Sequence, residues 1–350
     1  MGCLLVTPHQ VGSFCYNGFG GMEVNAPHRM AVVDCGTNTF TLHVAEFDSK
    51  RWKSVFRQLR FVRLGHDSFR TGRLSPDRMR RGLDVLASFR ETAINFGVTH
   101  IRAIGCSAFR DASNGLEFVE RAREIGWSIE VIDGQKEAHW IQEGVAATVP
   151  SEILGGQTAL TLDIGGGSVE AVLWDHETVH GRFSLDLGVA RLTDWIKPSD
   201  PLKNKDLDSL ARIADHAMVP LLGRTKHYAP QLIVGTSGAF NTLANLESAE
   251  ANWQPRHVAD VLPYATLRSR CQALMATSKA DLASIPNLHP DRIPYMSMAC
   301  ALIEHILGRL PSVGMVLRSR HTVAEGLLTE TAAGWKGLEP KVGWEMLTDL

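Results

Sequence analysis

No apolar run in this chain approaches the roughly 20 residues that a membrane-spanning helix requires, so no membrane protein is expected. No CxxC pair occurs either: the cysteines stand apart at Cys3, Cys15, Cys35, Cys106, Cys271 and Cys300. That spacing argues against a zinc site and a disulfide framework, and fits a reducing cytoplasm. Net charge is nearly absent, −2 over 350 residues, so no basic excess points to nucleic acid. The amino terminus lacks a basic n-region and fails as a secretory signal. It also fails as a myristoylation site, because Val6 stands where Ser or Thr is needed.

What remains is an ordinary soluble composition, 44% hydrophobic and 21% charged, over a length that suits two domains. Residues 1–29 read as a flexible extension, with Met30 as an alternative start. Beyond it, strands and helices alternate. Apolar alternation predicts strands at 30–34, 39–48 and 52–64, and Ser75-Pro76 opens a helix to about residue 96. A strand at 100–105, a helix over 108–125, a strand at 128–133 and a helix over 137–147 follow.

A comparable run then begins again with "ALTLDIGGGSVEAVLWDHETVHGRFSLDLG", three strands with a glycine turn after the first. Asp34 and Gly36 are echoed by Asp163 and Gly165, 129 positions later in each case, which internal duplication explains. A strand that ends on a carboxylate and turns through glycine offers backbone N–H groups to a phosphate and an oxygen ligand to a divalent cation. A P-loop or dinucleotide fingerprint leads from its glycines into a helix, whereas both turns here lead into another strand. One such turn is usually a plain hairpin. Two related copies favour a phosphate clamp between two domains.

Charge is also unevenly spread. Arg57, Arg60, Arg63, Arg70, Arg73, Arg78, Arg80 and Arg81 face only Asp67 and Asp77 over one short stretch. It reads either as a solvated face or as a track for an anionic ligand. His66-Asp67 lacks partner histidines at metal-ligand spacing and carries no weight.

The ordered segments "DCGTNTFTLHV", "RLGHDSFRTGRLS", "GCSAFRDASNG", "VIDGQKEAHWIQEGV", "LDIGGGSVEAVLWD", "LDLGVARLT", "IVGTSGAFNTLANL" and "HPDRIPYMSMACALIEHIL" resemble the exopolyphosphatase and guanosine-pentaphosphate phosphatase family, short two-domain form. The resemblance implies an α/β chain with two ribonuclease-H-like domains facing a central cleft, as in the actin, sugar-kinase and heat-shock-ATPase superfamily. It places domain I at 30–135, joined by a C-terminal helix at 322–335, and domain II at 136–321. It implies hydrolysis of a terminal phosphate of inorganic polyphosphate or of guanosine pentaphosphate with Mg²⁺, or Mn²⁺ in its place, and the superfamily suggests a homodimer. A non-catalytic binding regulator on the same scaffold is the alternative from another class, and a kinase a third.

Residue by residue, the resemblance makes Glu137 the catalytic general base. It makes Asp34, Asp163 and Glu170 the metal-associated carboxylates, Glu170 counting also as catalytic. Gly36, Thr37 and Asn38 in one turn, Gly165, Gly166, Gly167 and Ser168 in the other, and Arg110 would bind phosphate. Arg57, Arg60, Arg63, Arg70 and Arg73 would form a polyphosphate track. By pattern alone, Glu137 reads as a helix-surface residue, Glu170 as a solvent-facing strand residue and Arg110 as a partner of Asp111. In "IVGTSGAFNTLA", Gly235 and Gly238 read as a nucleotide-approaching loop or as helix caps. Lys136, Ala239 and Ala324 depart from the family pattern and put substrate preference in question.

Overall fold

The computed structural model describes residues 28–48, 51–246, 259–334 and 345–347. The expected extension lies outside these residues except for His28 and Arg29, which already belong to the first strand. The first sheet contains β1 (His28–Cys35), β2 (Thr39–Asp48), β3 (Arg51–Phe61), β4 (His100–Gly105) and β5 (Ile129–Val131). The second contains β6 (Ala159–Ile164), β7 (Val169–Trp174), β8 (Val179–Leu185), β9 (Leu232–Thr236), β10 (Asp260–Leu262) and β11 (Met315–Arg318). A two-residue β12 (Glu345–Met346) adds to β4.

Each sheet is built the same way. An antiparallel meander, β1-β2-β3 or β6-β7-β8, is extended on the side of its first strand by parallel strands, β4 and β5 or β9 and β11. This repeated order is the ribonuclease-H-like arrangement, present twice. The central strands are covered on both faces by helices and the opposite half, β6 and β7 being buried along their whole length.

The helix Pro76–Asn95 starts where the sequence predicts, with the Ser75 hydroxyl accepting from the Arg78 N–H and Pro76 in the first turn. The helix expected over 108–125 is instead two, Ser107–Asp111 and Gly115–Glu124. Gly115 lies so close to the Phe109 carbonyl that a side chain there would collide with it, so the chain bends between them.

Three apolar cores follow. One lies between the first sheet and the helices Pro76–Asn95 and Gly115–Glu124, and a second between the second sheet and helices that include Ile293–Arg309. The third joins the halves: the helices Gly134–Ala146 and Val323–Ala333 pack together between the sheets, against Val32 of one and Val172 and Val234 of the other. Their crossing is close, since a Cβ on Gly144 would stand 2.8 Å from the Gly326 nitrogen. This pair of helices brings the first turn of Gly134–Ala146 to the place where β1 and β6 end.

Candidate active site

The two glycine turns are built alike. The Gly36 N–H donates to the Thr39 carbonyl at 3.0 Å and the Gly165 N–H to the Ser168 carbonyl at 3.1 Å, the same bond 129 residues apart. In the first turn, the Thr37 and Asn38 carbonyls accept from the N–H groups of Gly65, and of Val62 and Arg63. In the second, the Gly165 and Gly166 carbonyls accept from Val189, and from Ala190 and Arg191. With the carbonyls tied, the N–H groups of the following residues point the other way across their trans peptides. The N–H groups of Thr37, Asn38, Gly166 and Gly167 make no hydrogen bond within the described residues. The "RLG" segment thus works through its backbone, as the brace of the first turn.

The turns meet face to face. A Cβ on Gly166 would stand 2.8 Å from Asn38 Nδ2 and 2.9 Å from Thr37 Cβ, so glycine is required for this approach. Between them lies a cavity lined by Asp34, Gly36, Thr37, Asn38, Glu137, Asp163, the three glycines 165–167, Ser168 and Glu170.

Four carboxylates point into this space, with Glu137, Asp163 and Glu170 buried and Asp34 half-buried. Asp163 and Glu170 sit directly opposite one another on β6 and β7, a like-charge pair that costs free energy without a proton or cation between them. Burial, with repulsion from Glu137 and Asp163, pushes Asp34 up to about 8. Burial also pushes Asp163 up to about 7, although a hydrogen bond from Ser237 opposes it. Glu170 is raised well above the carboxylate range by burial and by the charges of Glu137 and Asp163, while the Ser184 hydroxyl donates to it at 2.8 Å. The first copy has Thr41 opposite Asp34, so the duplication is chemically asymmetric.

Glu137 stands in the first turn of Gly134–Ala146, whose N-cap Asp133 accepts from the Lys136 N–H. At 8% exposure it is no helix-surface residue, and Glu170, at 1%, does not face solvent. Burial raises the pKa of Glu137, and Arg110 opposes the shift by donating to its Oε2 at 2.9 Å. Arg110 also donates to the Ile132 carbonyl at 2.7 Å; it pairs with Glu137 rather than with Asp111.

Of the arginines read as a track, Arg57 lines the cavity. Arg60 alternates to the other side of β3 from Arg57, Leu59 and Phe61, because successive strand residues point to opposite faces. Arg63 pairs with Asp291 at 2.9 Å, Arg70 with Asp67 at 3.5 Å, and Arg73 donates to the Ser113 hydroxyl at 3.5 Å. These four do not line the cavity.

A profile of the Ppx/GppA phosphatase family matches residues 43–333. The chain belongs to this family. It is 27% identical over 319 residues to exopolyphosphatase 2 of Mycobacterium tuberculosis, an alignment covering 87% of this chain and 98% of that protein. It is 31% identical over 225 residues to a guanosine-5'-triphosphate,3'-diphosphate pyrophosphatase of Aliivibrio fischeri, covering 64% of this chain and 44% of that longer protein. Its structure is similar to an exopolyphosphatase from Cytophaga hutchinsonii, with a TM-score of 0.83 and 30% identity over 88% of this chain and 99% of the other. The Ppx/GppA chain described here is accordingly a phosphoanhydride hydrolase, built on the doubled ribonuclease-H-like sheet order.

Several residues that line or frame this Ppx/GppA cavity escape a motif reading. Ser237 takes a left-handed φ of 65° between β9 and its helix, a strained conformation often found at functional sites, and its hydroxyl reaches Asp163. Arg292 lies over the Phe61 ring, 5.3 Å from its centre, and burial lowers its pKa to about 10. Of the two glycines read as a nucleotide-approaching loop or as caps, Gly238 lies against the Arg292 guanidinium and Gly235 makes room for the Phe240 ring. Buried Glu325 meets His43 at 3.2 Å and Arg57 at 3.7 Å, which holds Arg57 at the cavity wall. No spacing rule links these positions, which come from distant segments.

The departures are placed as follows. Lys136 turns to Glu130 and the face of Trp140 and does not line the cavity. Ala239 lines it, and Ala324 is buried in the core between the halves. The Cys106 thiol, its Sγ 3.8 Å from Asp34 Oδ1, is protonated, its pKa pushed up by burial. The carboxylates and Asn38 Oδ1, a buried acceptor with no hydrogen-bond donor, present hard oxygens to the cavity. That set suits Mg²⁺ or Mn²⁺. Among the described residues no cluster of three or more His, Cys, Asp and Glu could cage a metal alone. One or two carboxylates completed by waters and phosphate oxygens is the usual way Mg²⁺ is held.

Proposed function

We propose that this chain hydrolyses the terminal phosphoanhydride of inorganic polyphosphate, releasing orthophosphate. The observation that carries the reading is the buried Glu137, held by Arg110 between two facing glycine turns whose N–H groups are unsatisfied. The turns hold the terminal phosphoryl group, and Arg57 adds positive charge at the wall. Phosphoryl transfer needs an in-line nucleophile and neutralised oxygens more than covalent help. Glu137 orients a water and accepts its proton as the water oxygen bonds to the terminal phosphorus. The bridging oxygen leaves with the bond's electron pair. A raised pKa suits a base that must take this proton near neutral pH. Mg²⁺, when bound by Asp34 and Asp163 with Glu170 nearby, supplies charge neutralisation for the phosphate oxygens.

A second reading is hydrolysis of guanosine pentaphosphate. It is favoured by the part of the cavity past Asp163, where Ser237, Asn241, Arg292, Tyr295 and Met296 combine polar and apolar contacts that a nucleoside can use. The deciding experiment compares orthophosphate release from long-chain polyphosphate and from guanosine pentaphosphate under identical Mg²⁺ conditions. A higher kcat/KM on polyphosphate is expected; a higher value on the nucleotide replaces the first reading by the second.

A further inference from the structure

We infer that Arg191 is a positioning residue that aims the second glycine turn and clasps the two halves of the molecule over the cavity. The inference rests on the hydrolase reading for its kinetic consequence alone. Arg191 lies in the first turn of the helix Val189–Ile196 and is 6% exposed. Its Nε donates to the Gly167 carbonyl at 2.6 Å. Its Nη2 crosses to the first half, donating to the Ser107 hydroxyl at 3.0 Å and to Asp111 Oδ2 at 2.6 Å. The Ser107 hydroxyl in turn donates to Asp111 at 2.8 Å, which closes a small network whose Asp111 end reaches solvent. The guanidinium plane rests on the Phe69 ring, 4.4 Å from its centre.

Two jobs follow from this geometry. The carbonyls of Gly165 and Gly166 are tied by backbone N–H groups of residues 189–191, but the Gly167 carbonyl is tied by the Arg191 side chain. Fixing that carbonyl fixes the plane of the Gly167–Ser168 peptide, and so the direction of the Ser168 N–H. The first turn has only a backbone brace, so the two turns differ in how they can respond to substitution. At the same point Gly167 sits against Ser107 and Thr37 so closely that no side chain fits. A planar fork places donors on two edges, Nε for one half and Nη2 for the other, whereas a lysine ammonium gathers all its donors on one atom.

The test uses the full chain with Cys3→Ser and Cys15→Ser, and spin labels introduced at two exposed positions, Arg81→Cys in the first half and Asp208→Cys in the second. Distance distributions between the labels and polyphosphate kinetics are measured for the parent, Arg191→Gln, Arg191→Lys and Asp111→Asn. Arg191→Gln is expected to broaden and lengthen the distance distribution and to lower kcat/KM about 100-fold, the cost of misplacing a reacting group by roughly 1 Å. The loss should fall mainly on kcat. Arg191→Lys should not restore it, and Asp111→Asn, at a partly exposed residue, should move both readouts the same way by less. Unchanged distances and a kcat/KM within twofold of the parent in Arg191→Gln overturn the inference. Lost activity at unchanged distances overturns the clasp. Should Arg191→Gln not fold, Asp111→Asn decides by the same two readouts. A parent that releases no phosphate defeats the hydrolase reading while the distances still judge the clasp.

Discussion

Burial by itself would protonate Glu137, and Arg110 at 2.9 Å opposes that, so the residue's working state is a balance between desolvation and one cation. Glu137→Gln keeps the shape and removes the base; kcat should fall about 10²- to 10⁴-fold with little change in melting temperature. The same physics makes the carboxylate cluster unstable when no cation is present. Asp34, at about 8, and Asp163, at about 7, hold protons in the folded protein that the unfolded chain releases near 3.8. Stability from this source is complete below about pH 4 and is lost as pH rises through 7 to 8. Metal-free protein should therefore melt at progressively lower temperature from pH 5 to pH 8.5. Mg²⁺ should restore most of the loss at pH 8.5, since it binds only the folded state. A melting temperature that is flat or rising over this range would contradict the assignment of the cluster. Asp34, Asp163 and Glu137 are legible in the sequence because each sits in a recognisable motif. Arg292, Ser237 and Glu325 are not, since the long-range contacts that give them meaning leave no local pattern.

Each glycine turn is one element of a strand-turn-strand unit whose carbonyls are tied elsewhere, by "RLG" or by the start of the helix Val189–Ile196. The strands and turns could be read from alternation and glycine alone, and the duplicated hydrogen bond shows why the echo in the sequence is real. Where each arginine of the expected track would stand could not. Of its five members only Arg57 lines the cavity; Arg60 lies on the other face of β3, and Arg63, Arg70 and Arg73 meet other side chains. The break in the helix expected at 108–125 also escaped, because it depends on Gly115 meeting the Phe109 carbonyl. The crossing of Gly134–Ala146 and Val323–Ala333 sets where Glu137 stands. A Cβ at position 326 would run into the Trp140 carbonyl. Gly326→Ala should destabilise the protein by about 1–3 kcal/mol, the usual cost of overpacking, read as a lower urea midpoint at unchanged m-value. It should also lower kcat, because the helix that carries Glu137 is pushed aside.

At the scale of the whole molecule, two copies of one fold face each other and the candidate cavity lies between them. Neither half holds a complete site: Asp34 and Arg110 come from the first sheet's side, Asp163 and Glu170 from the second, and Glu137 from a helix between the two. The halves are joined beyond the shared core by Arg63 with Asp291, by the Phe61 ring stacked on His289 at 4.4 Å, and by Arg191 with Asp111. Activity on polyphosphate should thus require both halves and a divalent cation together. The most direct measurement is orthophosphate release from long-chain polyphosphate by the wild type with Mg²⁺, by the wild type with excess EDTA, and by Glu137→Gln with Mg²⁺. Release in the first case and its near-complete loss in the other two is the predicted result. Equal rates for the wild type and Glu137→Gln would contradict the account.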